Sequence, residues 1–101
     1  MTKMSISKGA QIIGYNLVAF ADFKGIGKIR TGLKLLRIFE KDIPKGDKMS
    51  EEELNKKVDL EIDLDMAKEM KDIIDKQEGI KGMNSKLIVE LYDALEYIQF
   101  N

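Results

Sequence analysis

The chain has 101 residues, of which 44% are apolar, and its 17 basic and 18 acidic side chains give a formal net charge of −1. These values are typical of an ordinary soluble protein that can bury a core, so we expect a single domain over residues 1–101. The sequence contains no Cys, His or Trp. It therefore excludes disulfide scaffolds, thiol nucleophiles, imidazole metal sites and Ser-His-Asp triads.

The N-terminal third allows two interpretations. Residues 11–23 and 28–39 can form two strands joined by a glycine turn at residues 24–27, or a helix, a loop and a helix. Residues 14–16, Gly-Tyr-Asn, are poor choices for the interior of a helix. A strand further along the chain also needs a partner for pairing. We therefore expect the β-hairpin.

The glycine turn has a second possible meaning. Residues 23–28, Phe-Lys-Gly-Ile-Gly-Lys, resemble the centre of a helix-hairpin-helix DNA-binding element, whose core reads Gly-apolar-Gly. The resemblance implies that backbone N–H groups at a helix N-terminus approach a phosphate while nearby lysines add charge. The sequence departs from that element at Lys24, where the element has proline. The small-residue position of the element falls on Thr31 or Gly32. The same residues also suit a β-hairpin with its lysines in solvent, which is the interpretation we favour.

The rest of the chain shows a strand and two helices. Residues 58–64 alternate strictly between apolar and acidic side chains, which predicts a half-buried strand. Apolar spacing predicts a helix over residues 65–77, capped by Asp63 or Asp65, with the inner residues Met66, Met70, Ile73 and Ile74. It predicts another helix over residues 85–99, with the inner residues Leu87, Ile88, Leu91, Leu95 and Ile98. Capping-box spacing predicts a short helical turn within residues 51–57. The predicted fold class is α+β, with a small antiparallel sheet of about three strands (11–23, 28–39, 58–64) packed against two C-terminal helices.

The predicted strand carries a row of acids that could suggest a metal site. Side chains two residues apart on one face of a strand lie about 6.5–7 Å apart, too far for one Mg²⁺ or Ca²⁺. The row also lacks the glycine of a calcium-binding loop. We therefore expect no metal and interpret the row as a solvated strand face. The sequence contains neither a Walker motif nor a dinucleotide fingerprint, so we expect no cofactor.

These absences favour a non-catalytic protein that acts through protein–protein contacts, as an inhibitor, an adaptor or a self-associating module. Three acids of the predicted strand, Asp59, Glu61 and Asp63, are candidates for contact with a basic partner. Three aromatic residues of the last helix, Tyr92, Tyr97 and Phe100, could form a second face for a partner or a twin subunit, or else extend the core.

The alternative prediction is a nucleic-acid-binding protein. Residues 1–37 contain seven basic residues and one acid, whereas residues 38–101 contain 10 basic and 17 acidic residues. The cations that could contact phosphates are those of the predicted hairpin: Lys24, Lys28, Arg30, Lys34 and Arg37. Only two of the 17 basic residues are Arg, which weakens this hypothesis because Arg is preferred for phosphate contacts.

A hydrolase that uses a pair of carboxylates is a third hypothesis. No apolar run reaches the length of about 20 residues that a membrane span needs. We therefore expect a cytoplasmic protein without a membrane partner.

Overall fold

The computed structural model describes residues 2–40, 51–76 and 82–100. Its elements in chain order are β1 (Thr2–Ser7), α1 (Lys8–Phe20), α2 (Ile26–Phe39), α3 (Glu51–Leu54), β2 (Lys57–Ile62), α4 (Leu64–Asp75) and α5 (Gly82–Phe100). The fold is α+β: the described residues form one small antiparallel sheet and are otherwise mostly helical. The organisation of the whole chain as a single domain stays a prediction.

The sheet consists of β1 and β2, paired antiparallel so that Met4 lies opposite Leu60 and Thr2 lies opposite Ile62. One face carries the four buried side chains Met4, Ile6, Leu60 and Ile62. This alternation is what a two-layer packing requires of a strand. The predicted strand at residues 58–64 is therefore present as β2, and it ends at Ile62 because Asp63 already caps α4.

The predicted strands at residues 11–23 and 28–39 are wrong, because residues 11–20 lie in α1, residues 21–23 in the connection after it, and residues 28–39 in α2. The sheet of the described residues thus has two strands rather than about three, and β1 supplies the partner that β2 needs. Gly14, which argues against a helix, is required by the packing: a Cβ there would lie 2.7 Å from Cε1 of Phe39. Glycine lets α1 approach α2 closely at this point, and this contact outweighs its low helix propensity.

The core lies between the inner face of the sheet and the helices, with α5 packed against α1, α4 and β1. Its largest fully buried side chains are Phe39, Met4, Ile6, Leu35, Leu60, Ile62, Met70, Leu91, Leu95, Gln11 and Val18. Gln11 is the polar member of this set, and its Nε2 donates a hydrogen bond of 2.9 Å to the carbonyl oxygen of Phe39. This bond joins the first turn of α1 to the C-terminal end of α2.

The junction of β1 and α1 is anchored to α5 through Glu90. Ser7 caps α1 by accepting a hydrogen bond from the Ala10 N–H, and its own N–H and hydroxyl donate to the Glu90 carboxylate at 2.8 and 2.7 Å. Lys57 adds a contact of 3.1 Å to the same carboxylate. Partial burial alone would raise the pKa of Glu90, but the hydrogen bonds from Ser7 and Lys57 outweigh it and lower the pKa.

The last two helices follow the apolar spacing of the sequence. Asp63 caps α4 and accepts a hydrogen bond of 2.8 Å from the Met66 N–H. The predicted inner face of α4 is confirmed, with Met70, Ile73 and Ile74 buried. The inner residues of α5 are also as predicted: Ile88, Leu91, Leu95 and Ile98 are buried. The helical turn expected within residues 51–57 is present as α3.

Candidate functional site

The segment between α1 and α2 brings the glycines to the N-terminus of α2. Gly25 is the N-cap of α2, with φ of 86°. No side chain of the described residues forms a capping hydrogen bond at this end of the helix. A φ of this sign favours glycine. Nothing lies within 4 Å of a Cβ built at Gly25 or at Gly27. The Gly25-Ile26-Gly27 sequence thus stands at the start of α2, after α1 and a short connection. A helix-hairpin-helix element has the same local order.

The solvent side of α2 combines exposed apolar residues with cations. Ile26 is 68% exposed, Leu33 53% and Ile29 43%, which is unusual for large aliphatic side chains on an amphipathic helix. Three exposed basic residues lie among them at spacings of four and three residues, so they share this side of the helix. We call this surface the α2 face and define it by Ile26, Ile29, Arg30, Leu33, Lys34 and Arg37.

No charge of the described residues neutralises the α2 face. The helix contains four basic residues and no acid. Among the described residues, Arg30, Lys34 and Arg37 form no ion pair, whereas Lys28 pairs with Glu69 of α4. The five cations predicted for nucleic-acid binding are therefore divided. Lys24 is exposed in the connection before α2, Lys28 pairs with Glu69 of α4, and the three cations of the α2 face point to solvent.

An open cleft of about 590 Å³ lies between the α1–α2 connection and α4. Its lining includes the exposed Phe20 and half-buried Phe23, together with lysines and acids in equal number: Lys24, Lys28, Lys76, Asp22, Glu69 and Asp72. Lys76 hydrogen-bonds Asp72 at 2.8 Å and thereby lowers the pKa of that carboxyl group. Two of the three lysines, Lys28 and Lys76, pair with acids of the cleft, and the six charges sum to zero, so the cleft shows no net preference for an anion or a cation.

The acids predicted for protein contact lie in two different settings. Asp59 and Glu61 are exposed on the outer face of β2, opposite the buried Leu60 and Ile62. Asp63 is half-buried and caps α4 through its hydrogen bond to Met66. Its carboxylate therefore stabilises the start of a helix, whereas Asp59 and Glu61 face solvent.

The aromatic residues predicted for contact are also divided. Tyr92 is half-buried against the core, and Lys71 Nζ of α4 lies 5.1 Å from its ring centroid. Burial raises the pKa of Tyr92, and the nearby carboxylates of Asp75 and Glu96 raise it further. Tyr97 is 68% exposed. The side chain of Phe100 lies outside the described residues.

Tyr97 belongs to a row of exposed residues on α5. These residues recur every three or four positions and therefore lie along one side of the helix. Val89, 57% exposed, is the second large apolar residue in the row. We call this surface the α5 face and define it by Lys86, Val89, Asp93 and Tyr97.

Apart from Tyr97, the exposed apolar residues of the two faces were not predicted from the sequence as contacts. Under the hairpin interpretation, Ile29 and Leu33 share one strand face with Leu35 and Phe39, which the structure buries. A signal was present: Ile26, Arg30, Leu33 and Arg37 fall on one side of any helix drawn through them. A helix cannot bury that side without burying two guanidinium groups, so its aliphatic residues must also be exposed.

None of the described helices is both long and apolar enough to cross a lipid bilayer. The part of the chain that the structure describes also contains no group of three or more potential metal-binding side chains in a suitable arrangement. Comparisons with protein-family models, curated proteins and solved structures give no match to this chain.

Proposed function

We propose that this chain is a small, non-catalytic, cytoplasmic binding protein that docks another protein on the α2 face. The single observation that carries the proposal is the exposure of Ile26, Ile29 and Leu33 in one row on a regular helix. Exposed aliphatic residues in a row favour contact with another apolar surface over permanent contact with water. A helix face of this kind is typical of helix-in-groove or helix-on-helix recognition.

The cations of the α2 face indicate the chemistry of the partner. Arg30, Lys34 and Arg37 flank the apolar row, and the helix carries no acid that would neutralise them. A partner surface that combines exposed apolar residues with an acidic side chain fits this arrangement best, because complementary charges guide encounter and exclude other partners. Asp59 and Glu61 on β2 remain candidates for a second, basic partner surface.

The proposal is tested by photo-crosslinking in cells of the organism that encodes the chain. A photo-crosslinking amino acid replaces Leu33 on the α2 face or, as the control, Lys68 on the exposed side of α4. We expect a discrete protein adduct from position 33 and none from position 68. Adding Arg30→Glu and Arg37→Glu to the position-33 variant should abolish the adduct. Equal adducts from both positions, or none from position 33, would contradict the proposal.

A second candidate function is nucleic-acid binding, supported by the position of Gly25-Ile26-Gly27 at the N-terminus of α2. The N–H groups of a first helical turn lack partners within the helix and attract phosphate oxygens. Lys24 and Arg30 are exposed near this end of α2. Phosphate contact here would be independent of the apolar residues that carry the first proposal.

The second candidate is tested by fluorescence anisotropy with labelled single- and double-stranded oligonucleotides at low and near-physiological salt. Binding that weakens with salt and is lost in Lys24→Glu/Arg30→Glu would support it. The matched control is Lys56→Glu/Lys68→Glu, which reverses two exposed lysines outside α2 and so makes the same change in net charge. No binding at low salt would exclude this function.

A further inference from the structure

We propose that the protein docked on the α2 face is a second copy of this chain, which presents its α5 face. This inference rests on the proposed function and names its partner. It is carried by two surfaces of one molecule whose exposed apolar residues span similar lengths and whose charges include the complementary pair Arg30 and Asp93.

The two apolar rows have nearly the same length. Ile26 and Leu33 mark the ends of the row on α2, and Val89 and Tyr97 mark the ends of the row on α5. With the rise per residue of an α-helix, these rows span about 10 Å and about 12 Å. Two helices that cross at a shallow angle bury side chains over a distance of this order.

In one antiparallel register, apolar residues of the two faces meet and Arg30 lies opposite Asp93. When Arg30 lies opposite Asp93, the residue four positions before Arg30 meets the residue four positions after Asp93, so Ile26 lies against Tyr97. On the other side of the crossing, Leu33 comes to the level of Val89. Antiparallel helices also align their dipoles favourably.

The two helices diverge toward the ends of this contact. In the same register, Arg37 comes opposite Lys86, two like charges at the far end of the row. A crossing angle of about 20–50° separates two helices increasingly away from their closest point. The like charges therefore lie in solvent at the margin, where their repulsion is screened, while Arg30 and Asp93 lie near the centre.

The charge distribution of the chain favours a second copy over an unrelated partner. All charged residues of α2 are basic, whereas the α5 face carries the acid Asp93. The other two acids of α5, Glu90 and Glu96, pair with Lys57 and Lys71 of the same chain. Each molecule therefore carries both members of a complementary pair. If two copies pair around a twofold axis, the α2–α5 contact forms twice, which doubles the buried area toward that of a stable dimer.

A charge-swap experiment on the purified full chain tests this proposal. We expect the wild type to show concentration-dependent dimers or larger assemblies by sedimentation velocity. Arg30→Glu and Asp93→Arg should each weaken the association at least about tenfold, because each places like charges at the centre of the contact. The control variant Lys68→Glu should associate as the wild type does.

The decisive arm mixes the two charge-reversed chains. In the mixture, Arg30→Glu on one chain faces Asp93→Arg on the other, and the second contact keeps the native pair. Association should therefore return to within a few-fold of the wild-type affinity, which unspecific apolar aggregation would not produce. A mixture that associates no better than either variant alone would overturn the proposal. Circular dichroism of each variant establishes that both are folded before they are compared.

The result also separates this inference from the proposed function. A wild type that stays monomeric at all concentrations, together with a position-33 adduct to a different protein, overturns self-association and leaves protein docking in place. A monomeric wild type without any position-33 adduct overturns both. An adduct of two copies of this chain, lost with Arg30→Glu, supports both.

Discussion

Helices α2 and α4 cover the same core but present different surfaces to solvent. Each buries three or four residues on its inner side. The outer side of α4 carries charges of both signs, including the Asp72–Lys76 pair one turn apart. The outer side of α2 carries three aliphatic residues and only positive charge. This difference between the outer sides supports the proposal that a partner protein covers α2, whereas the outer side of α4 faces solvent.

Substitutions on the inner sides of α2 and α4 should reduce stability by similar amounts, and these are the largest effects that we expect. Leu35→Ala on α2 and Met70→Ala on α4 each remove a fully buried side chain. Each should lower the free energy of unfolding by about 2–5 kcal/mol, through lost burial and the cavity left behind. Urea denaturation measures this. A cost below about 1 kcal/mol for Leu35→Ala would show that α2 is not packed on the core as described.

The acids of α5 offer a second comparison, between a bound carboxylate and an exposed one. Glu90 accepts hydrogen bonds from Ser7 and Lys57, whereas Asp93 lies on the α5 face. Glu90→Gln should lower the free energy of unfolding by about 1–3 kcal/mol at neutral pH. Asp93→Asn, the matched control, should leave it nearly unchanged. Equal effects of the two substitutions would contradict the anchoring role of Glu90.

The same carboxylate predicts a dependence on pH. Because the folded-state pKa of Glu90 is lowered from its ordinary value of 4.5, its contribution is present above that value. The contribution is lost as the pH falls through the lowered pKa. Denaturation between about pH 6 and pH 3 should therefore show a steeper loss of stability in the wild type than in Glu90→Gln. Identical slopes would mean that Glu90 has no lowered pKa.

The outer side of α2 should behave differently from its inner side. Ile29→Ser and Leu33→Ser remove exposed side chains, so each should change the free energy of unfolding by less than about 0.5 kcal/mol. Both should nevertheless reduce partner docking, measured as the yield of adduct from a photo-crosslinking amino acid in place of Ile26. Lys68→Ser on α4 is the control for an exposed position outside the face. Docking that survives both serine substitutions would contradict an apolar contact.

The smallest effect is expected on the outer side of α4. Asp72→Asn removes the exposed ion pair with Lys76, and such pairs contribute little because solvent and salt screen them. The urea midpoint at physiological salt should not change measurably. A clear loss of stability would mean that the charges of α4 are not a simple solvated surface, and the contrast with α2 would be weaker.

The sequence predicts the C-terminal part of the fold well because apolar residues recur there at the regular spacing of a strand or of a helix. The alternation of β2 and the inner row of α4 follow directly from residue spacing. The prediction for the N-terminal third is wrong because the local propensities of its residues conflict with the way they pack in the folded chain. Gly14 disfavours a helix locally, and only the ring of Phe39, distant in sequence, explains why glycine is needed there.

The candidate site was predictable only in part. The basic residues of α2 were identified, since charge can be counted along a sequence. Their separation into the α2 face and the Lys28–Glu69 pair depends on where α4 packs. The exposure of Ile29 and Leu33 depends on the choice between strand and helix, because the two periods assign different residues to the core.

The most direct test of the proposal that a partner covers α2 compares the yields of crosslinked adduct from positions 33 and 68. Both yields are measured in cells of the source organism. Both residues are exposed and lie on the outer sides of the two helices compared above. The account predicts a discrete adduct at position 33 that exceeds the yield at position 68 by about tenfold or more, as expected for a residue within a specific contact. A ratio near one would contradict it, since α2 would then be as fully solvated as α4.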